Sequence, residues 1–178
     1  RSRLAVQGTI DAARAALAQG IAGNLAGGTH HAFAGHGEGF CLLNDVAVAI
    51  RVLQAGREIA HALVVDLDVH QGNGTAAIFA GDASVFTFSM HGERNYPAVK
   101  QRSSLDVGLP DGVGDAAYLE ALGMNLPTIL RSFDADMVFY LAGVDVASGD
   151  RYGRFALSDD GVRARDRLVV DAVRDASL

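Results

Sequence analysis

Asp66, Asp68 and His70 stand at alternate positions of VVDLDVHQGNG, where the apolar run ALVV ends. Side chains of an extended segment alternate faces with a period of two, so these three point one way while Leu67 and Val69 point into the apolar layer. Two carboxylates and an imidazole crowded together strand buried charge, unless a cation compensates them or hydrogen-bonding partners divide them up. A metal ion is the economical solution. Asp68 and His70, joined by Asp145 from another predicted strand end, offer three N/O ligands. Three protein ligands with an open position is the arrangement of a catalytic zinc. Cys41, the single cysteine, makes no thiolate site. Taken one at a time, each of these residues reads better as a solvated strand-end group or an arginine partner; the joint pattern favours the metal.

His30 and His31 follow Gly27 and Gly28. On their own, tandem histidines are solvated loop residues or a second metal pair. Beside a zinc-bound water, whose pKa falls from about 15.7 toward about 7, a neutral imidazole can take a proton and later hand it to a leaving amine. Asp66, left over from the metal set, is a natural orienting partner for one histidine. The segment HGEGF (36–40) lets backbone approach closely, and Phe40 and Tyr96 supply aromatic walls that suit a slender aliphatic chain. The alternative is Phe40 in the core and Tyr96 in a loop before Pro97.

Positioning these groups takes strands and helices in alternation, the signature of a parallel sheet with crossover helices. Strands are predicted around 23–27, 61–68, 84–90 and 136–143, each short and uniformly apolar, hence central. Helices are predicted to begin near Thr9, Asn44, Asn73 or Gly74, Asp115 and Ser158, with Gly20 and Gly56 as stops. Residues 90–115 hold two of the three prolines and no clear periodicity, and read as a long surface loop. The four predicted strands run on to Thr29-His30-His31, to Asp66, Asp68 and His70, to Ser89 and His91, and to Asp145. Carboxyl ends of parallel strands share a rim, and ligands of open α/β sheets bind there.

A chain of 178 residues, 49% hydrophobic, is most naturally a single domain, residues 1–178. No apolar run approaches a membrane span, and no basic-then-apolar leader opens the chain, so a soluble cytoplasmic protein with no membrane partner is expected. The net charge of −6 argues against a nucleic-acid partner and allows a cationic one.

Four blocks, GGTHHAFAGHGEGFCLLNDVAVAI, VVDLDVHQGNGTAAIF, FTFSMHGERNYP and LAGVDVASGDRYGRFALSDDG, resemble in order the zinc-dependent histone deacetylases and their bacterial relatives. The resemblance covers nearly the whole chain. It implies a three-layer α/β/α fold of the arginase/deacetylase type around a mainly parallel sheet, and hydrolysis of an amide on an acylated amine, N-acetyl-lysine in protein first, an acetylated polyamine as the alternative. By position it makes Asp68, His70 and Asp145 the ligands of one zinc. It makes His31 the proton shuttle and His30, next to Asp66, an electrostatic tuner. Gly39, Phe40 and Tyr96 match the walls of an acyl-lysine tunnel, and Asp66, Asp68, His70, Ser89 and Met90 match a potassium site built mostly of backbone oxygens.

Two departures from that pattern stand out. Asn73 replaces the carboxylate that one branch of the family pairs with the second histidine, which makes the shuttle less basic. The Gly-Gly-Tyr turn whose phenol meets the oxyanion is expected just beyond Leu178, and further elements ahead of residue 1. Loss of an oxyanion donor costs about 10² to 10³ in rate, so the chain alone is expected to be weakly active or inactive. A ureohydrolase with two manganese ions needs an Asp-x-His-x-Asp run, and Gly72 stands where its last carboxylate would be. A serine or cysteine acyl-enzyme is disfavoured, since no Gly-x-Ser-x-Gly occurs. A non-catalytic acyl-lysine binding module is the remaining rival, against which the complete ligand set speaks.

Overall fold

The computed structural model describes residues 1–176. Strands β1 (Ala62–Asp66), β2 (Val85–Gly92), β3 (Leu105–Leu109) and β4 (Met137–Leu141) form one sheet in the order β3-β2-β1-β4, with every neighbouring pair parallel. The helices are α1 (Ser2–Gln19), α2 (Asp45–Ala55), α3 (Asn73–Ile78), α4 (Asp115–Ser132) and α5 (Asp159–Asp175). The period of two along each strand feeds two apolar layers. Ala62, Val64, Met137, Phe139 and Leu141 pack with Ile10, Ala49, Ile50 and Leu53 of α1 and α2. Leu63, Val65, Phe88 and Met90 pack with Tyr118, Leu122 and Leu126 of α4 and Val169 of α5. Burial of each large side chain contributes roughly 1.5–3 kcal/mol. Helices on both faces of a parallel sheet make the three-layer α/β/α arrangement that the alternating sequence pattern predicts.

The chain steps from β1 to β2 to β3 on one side, then returns to place β4 on the other side of β1. The strand order therefore reverses at β1, and the crevice at the carboxyl ends of β1 and β4 is a topological switch point. That reversal puts the segment after Asp66 beside the segment after Leu141. The helix starts follow local chemistry. Asn44 accepts a hydrogen bond from the Ala47 N–H and Ser158 one from the Gly161 N–H, while Gly20, at φ 92°, ends α1. No helix among the described residues is long and apolar enough to cross a membrane.

Three sequence expectations are corrected. The run at 23–27 forms no strand; it belongs to a turn whose polar groups are met by side chains. Asn24 donates to Ala5 O and to Thr9 Oγ1, and Asp45 accepts from the N–H groups of Gly28 and Thr29. Thr9 does not cap α1, which begins at Ser2; its hydroxyl lies inside the helix and bonds Ala5 O and Asp45. The loop expected over 90–115 contains β3, an edge strand whose half-exposed residues carry no run of burial and whose pairing with Phe88–Gly92 is purely tertiary.

Asp136, just ahead of β4, accepts the N–H groups of Ala60 and His61 at 2.7 Å each, tying the entry of β1 to that of β4. The bonds from His61 and then Ala60 hold its carboxyl below the usual range. A depressed carboxylate stabilises the fold fully above its unfolded pKa of about 4 and loses that contribution as pH falls through its folded value. Asp136→Ala is therefore expected to cost about 1 kcal/mol at neutral pH, the site being exposed, and the gap to wild type should close on acidification. Urea denaturation of both chains at several pH values checks it.

Candidate metal centre and its histidines

β1 ends at Asp66, but the alternation of side chains continues past it: Leu67 and Val69 are fully buried in the layer under α4 and α5, and Asp68 and His70 turn to the crevice. Asp145 arrives from the segment after β4. The ligand atoms of Asp68, His70 and Asp145 all lie within 4.8 Å of one another. His70 Nδ1 is 2.9 Å from Asp68 Oδ1 and 3.0 Å from Asp145 Oδ2. The carboxylates are themselves fixed by main chain, Asp68 by the His70 N–H at 2.8 Å and Asp145 by the Val69 N–H at 3.0 Å. Burial works against a charged His70 ring, but the hydrogen bonds and charge of Asp145 and Asp68 outweigh it and raise the pKa to about 9. Burial would likewise lift Asp68, yet the His70 hydrogen bond and the His30 charge keep it well below the carboxylate range. Two anionic oxygens thus converge on one imidazole nitrogen and attract positive charge to the space between them. One nitrogen and two carboxylate oxygens, with no fourth ligand in this group among the described residues, fit a metal ion that keeps an open position.

The two histidines differ. His30 Nδ1 stands 2.6 Å from Asp66 Oδ2, both nearly inaccessible to solvent. Burial opposes charge on His30, but the Asp66 carboxylate and its hydrogen bond win and carry the pKa to about 9, so the proton of the pair stays on the ring. Asp66 Oδ1 also accepts the Asp68 N–H at 3.2 Å. His31 Nδ1 is 2.7 Å from Asn73 Oδ1. Its burial, and next the charge on His30, lower its pKa to about 4 and leave it neutral. The two rings are 4.1 Å apart, and His31 lies 5.9 Å from the His70 ring and 5.0 Å edge-on from Tyr96.

Glycines bring these parts together. A Cβ on Gly39 would fall 2.4 Å from the His31 ring, one on Gly72 2.3 Å from Asp66 Oδ2, and one on Gly74 2.2 Å from Ala32 O. The Gly-Asn-Gly run is thus the packing condition that lets Asn73 reach His31.

Gly39 touches His31 as a tunnel wall would, and Tyr96 faces both His31 and His70. Phe40, at φ 64°, is fully exposed and is not the core residue its type suggests. Asp66 and Ser89 are register partners at the carboxyl end of the sheet, followed by the fully buried Met90; the Ser89 hydroxyl pairs with His91 Nδ1 at 3.0 Å. His91 is buried outside the ligand group, and Thr29 turns to Asp45 and Leu43 rather than to the crevice. Tyr140 donates to Asp166, Tyr118 is enclosed beside α5, and Tyr152 is exposed.

Glu38 and Arg165 are participants that sequence reasoning passes over. Glu38 Oε1 accepts from Asn73 Nδ2 and from the Tyr96 hydroxyl, each at 2.7 Å. Arg165, wholly buried, donates from Nη1 to Gly143 O at 2.6 Å and to Leu67 O at 3.3 Å, one residue ahead of Asp68 and two ahead of Asp145. Glu38 had one visible signal, a carboxylate within a Gly-rich segment beside the histidines; Arg165, one of several arginines in a charged helix, had none.

The model of the histone deacetylase domain matches residues 1–177. The chain is 54% identical over 170 residues to an uncharacterized protein of Picosynechococcus, covering 96% of this chain and 57% of the relative. It is 34% identical to histone deacetylase 2 of Arabidopsis thaliana, covering 99% and 46%. The crystal structure of a histone deacetylase homologue from Aquifex aeolicus superposes with a TM-score of 0.85 at 28% identity, over 96% of this chain and 49% of that one. The chain spans about half the length of the relatives it matches.

Proposed function

Because this chain belongs to the histone deacetylase family, we propose that it hydrolyses the acyl amide of an acylated primary amine, with N-acetyl-lysine in protein as the substrate class. The observation that carries this reading is the convergence of Asp68, His70 and Asp145 next to a neutral His31. A single zinc held by those three would supply a Lewis acid for the carbonyl and a lowered pKa for attacking water. His31 takes a proton of the attacking water as the water oxygen bonds the carbonyl carbon, then delivers that proton to the amine nitrogen as the C–N bond breaks, and the remaining acid proton passes to the released amine, leaving carboxylate and ammonium. His30, kept protonated by Asp66, places fixed positive charge beside the developing oxyanion. Gly39 and Tyr96 flank the approach as walls for the acyl-lysine stem. A potassium ion on the backbone oxygens of Asp66, Asp68, His70, Ser89 and Met90 is the second ion of this reading, supported by the register that sets Asp66 against Ser89.

The test is acetate release by the chain extended to its natural ends, through the Gly-Gly-Tyr turn expected after Leu178, from an acetyl-lysine peptide and from an acetylpolyamine, with and without zinc, with Asp145→Ala as control. Expected are one zinc per chain, turnover of the peptide that stops on chelation, and a control that retains neither zinc nor activity. Equal turnover by the control would remove the mechanism. Turnover of the polyamine alone would move the substrate class, zinc-dependent peptide binding without turnover would favour a binding module, and two manganese ions per chain would favour the ureohydrolase type.

A further inference from the structure

An amide paired with a histidine is ambiguous in a way that a carboxylate is not. A carboxylate only accepts hydrogen bonds, so it demands an N–H from the ring; an amide can turn either its oxygen or its NH₂ group to the ring at little cost. In this chain Asn73 holds His31 Nδ1 at 2.7 Å, and something else must decide which way the amide faces.

We infer that Glu38 is that selector: a positioning residue that fixes the Asn73 amide and through it the tautomer of His31. Glu38 Oε1 receives the Asn73 amide at 2.7 Å and the Tyr96 hydroxyl at 2.7 Å. An ionised carboxylate has no hydrogen to give, so Asn73 must turn its NH₂ toward Glu38, which leaves Oδ1 facing His31. That carbonyl oxygen has none either, so His31 Nδ1 must be the donor. A neutral imidazole carries one ring hydrogen, and with it on Nδ1 the lone pair is on Nε2. The chain of polarity runs from Glu38 through Asn73 to His31 without a free choice.

The position of Glu38 is itself well determined. Its N–H donates to Cys41 O at 3.0 Å, and its carbonyl accepts the Cys41 N–H at 2.8 Å, closing the tight loop whose Gly39 rests on the His31 ring. His36 Nε2 lies 3.4 Å from Oε2, the second carboxylate oxygen. The Tyr96 hydroxyl, bound to the same Oε1, links the two segments that flank His31. In the reading proposed above His31 accepts a proton, which a hydrogen on Nδ1 confines to Nε2, and this inference rests on that reading only for why the tautomer matters; the tautomer itself is a property of the chain.

The decisive measurement is the ¹⁵N spectrum of the His31 ring in the full chain, recorded without substrate. Wild type is expected to show Nδ1 protonated and Nε2 bare. Glu38→Leu and the isosteric Glu38→Gln, which lets the Asn73 amide turn either way, should both show a population with the hydrogen on Nε2. Their kcat should fall about tenfold with little change in KM. Adding Asn73→Asp to Glu38→Leu places a carboxylate against the ring and should restore the Nδ1-protonated spectrum and most of kcat, a rescue that a merely structural role for Glu38 would not produce. If Glu38→Leu fails to fold, Glu38→Gln gives the same reading. An unchanged ring spectrum in the Glu38 variants overturns the inference whatever the turnover. A changed spectrum beside an extended chain, carrying the expected Gly-Gly-Tyr turn, that hydrolyses no acyl amide leaves the inference standing and removes the function proposed above.

Discussion

Alanine in place of His31 is expected to slow acyl-amide hydrolysis by about 10² to 10⁴-fold while zinc stays bound. The ring contributes no atom to the group formed by Asp68, His70 and Asp145, and its own hydrogen bond goes to Asn73, so metal retention should survive its loss. What disappears is a buried, neutral base with its Nδ1 already occupied. His30→Ala should act differently. It strips Asp66 of its ring partner and leaves a buried carboxylate that already accepts the Asp68 N–H, so its effect should reach metal affinity and folding as well as rate. Steady-state kinetics beside zinc content and urea denaturation separate the two. An undiminished kcat in His31→Ala would assign the base to another group.

The reason His31 could be found without coordinates is that its chemistry is local. His30 and His31 adjoin, Asp66, Asp68 and His70 alternate on one extended segment, and the apolar run before Asp66 is buried on both faces while that before Asp145 is buried on one and partly buried on the other, so strand identity and rim position follow from pattern alone. Where pattern is weak, reading fails. GNLAG has the composition of a short apolar run, yet the turn it belongs to is held by the Asn24 side chain donating to Ala5 O and Thr9 Oγ1 and by Asp45 accepting the N–H groups of Gly28 and Thr29, partners 15 to 19 residues away that no window of neighbours shows. The stretch LDVGL is an edge strand, half exposed, and becomes a strand only because β2 offers it a ladder. Glu38 reaches Asn73 across 35 residues and Tyr96 across 58, so its place in the relay is a fact of tertiary structure. Phe40 shows the converse: its aromatic type allowed a core position, yet the residue is fully exposed at φ 64°.

Arg165→Met is expected to destabilise the chain by about 3 kcal/mol, roughly a hundredfold in the folding equilibrium, and to weaken zinc binding besides. The guanidinium is wholly buried and spans the two segments that deliver the ligands: Nη1 reaches Gly143 O and Leu67 O, while Nε and Nη2 meet Asp166 at 2.8 Å. A Cβ on Gly143 would lie 2.7 Å from Asp68 Cα, so the segment after β4 already presses on Asp68 with no slack. Methionine fills much of the volume but leaves both carbonyls without their donor, and the ends of β1 and β4 are then free to part. Their separation sets the distance between Asp68 and Asp145, hence the coupling of fold stability to metal affinity. Tyr118→Phe is the control. Its hydroxyl is buried near Arg165 without a protein partner among the described residues, so removing it should be nearly neutral, whereas a general weakening of this layer would lower both variants alike. Arg165→Lys retains charge and one of the two carbonyl bonds and should fall between them. Urea denaturation and zinc titration of the three variants would show stability and affinity moving together for Arg165 and neither moving for Tyr118; a stable Arg165→Met with undiminished zinc affinity would mean that the carbonyl bridge does not set the spacing of the ligands.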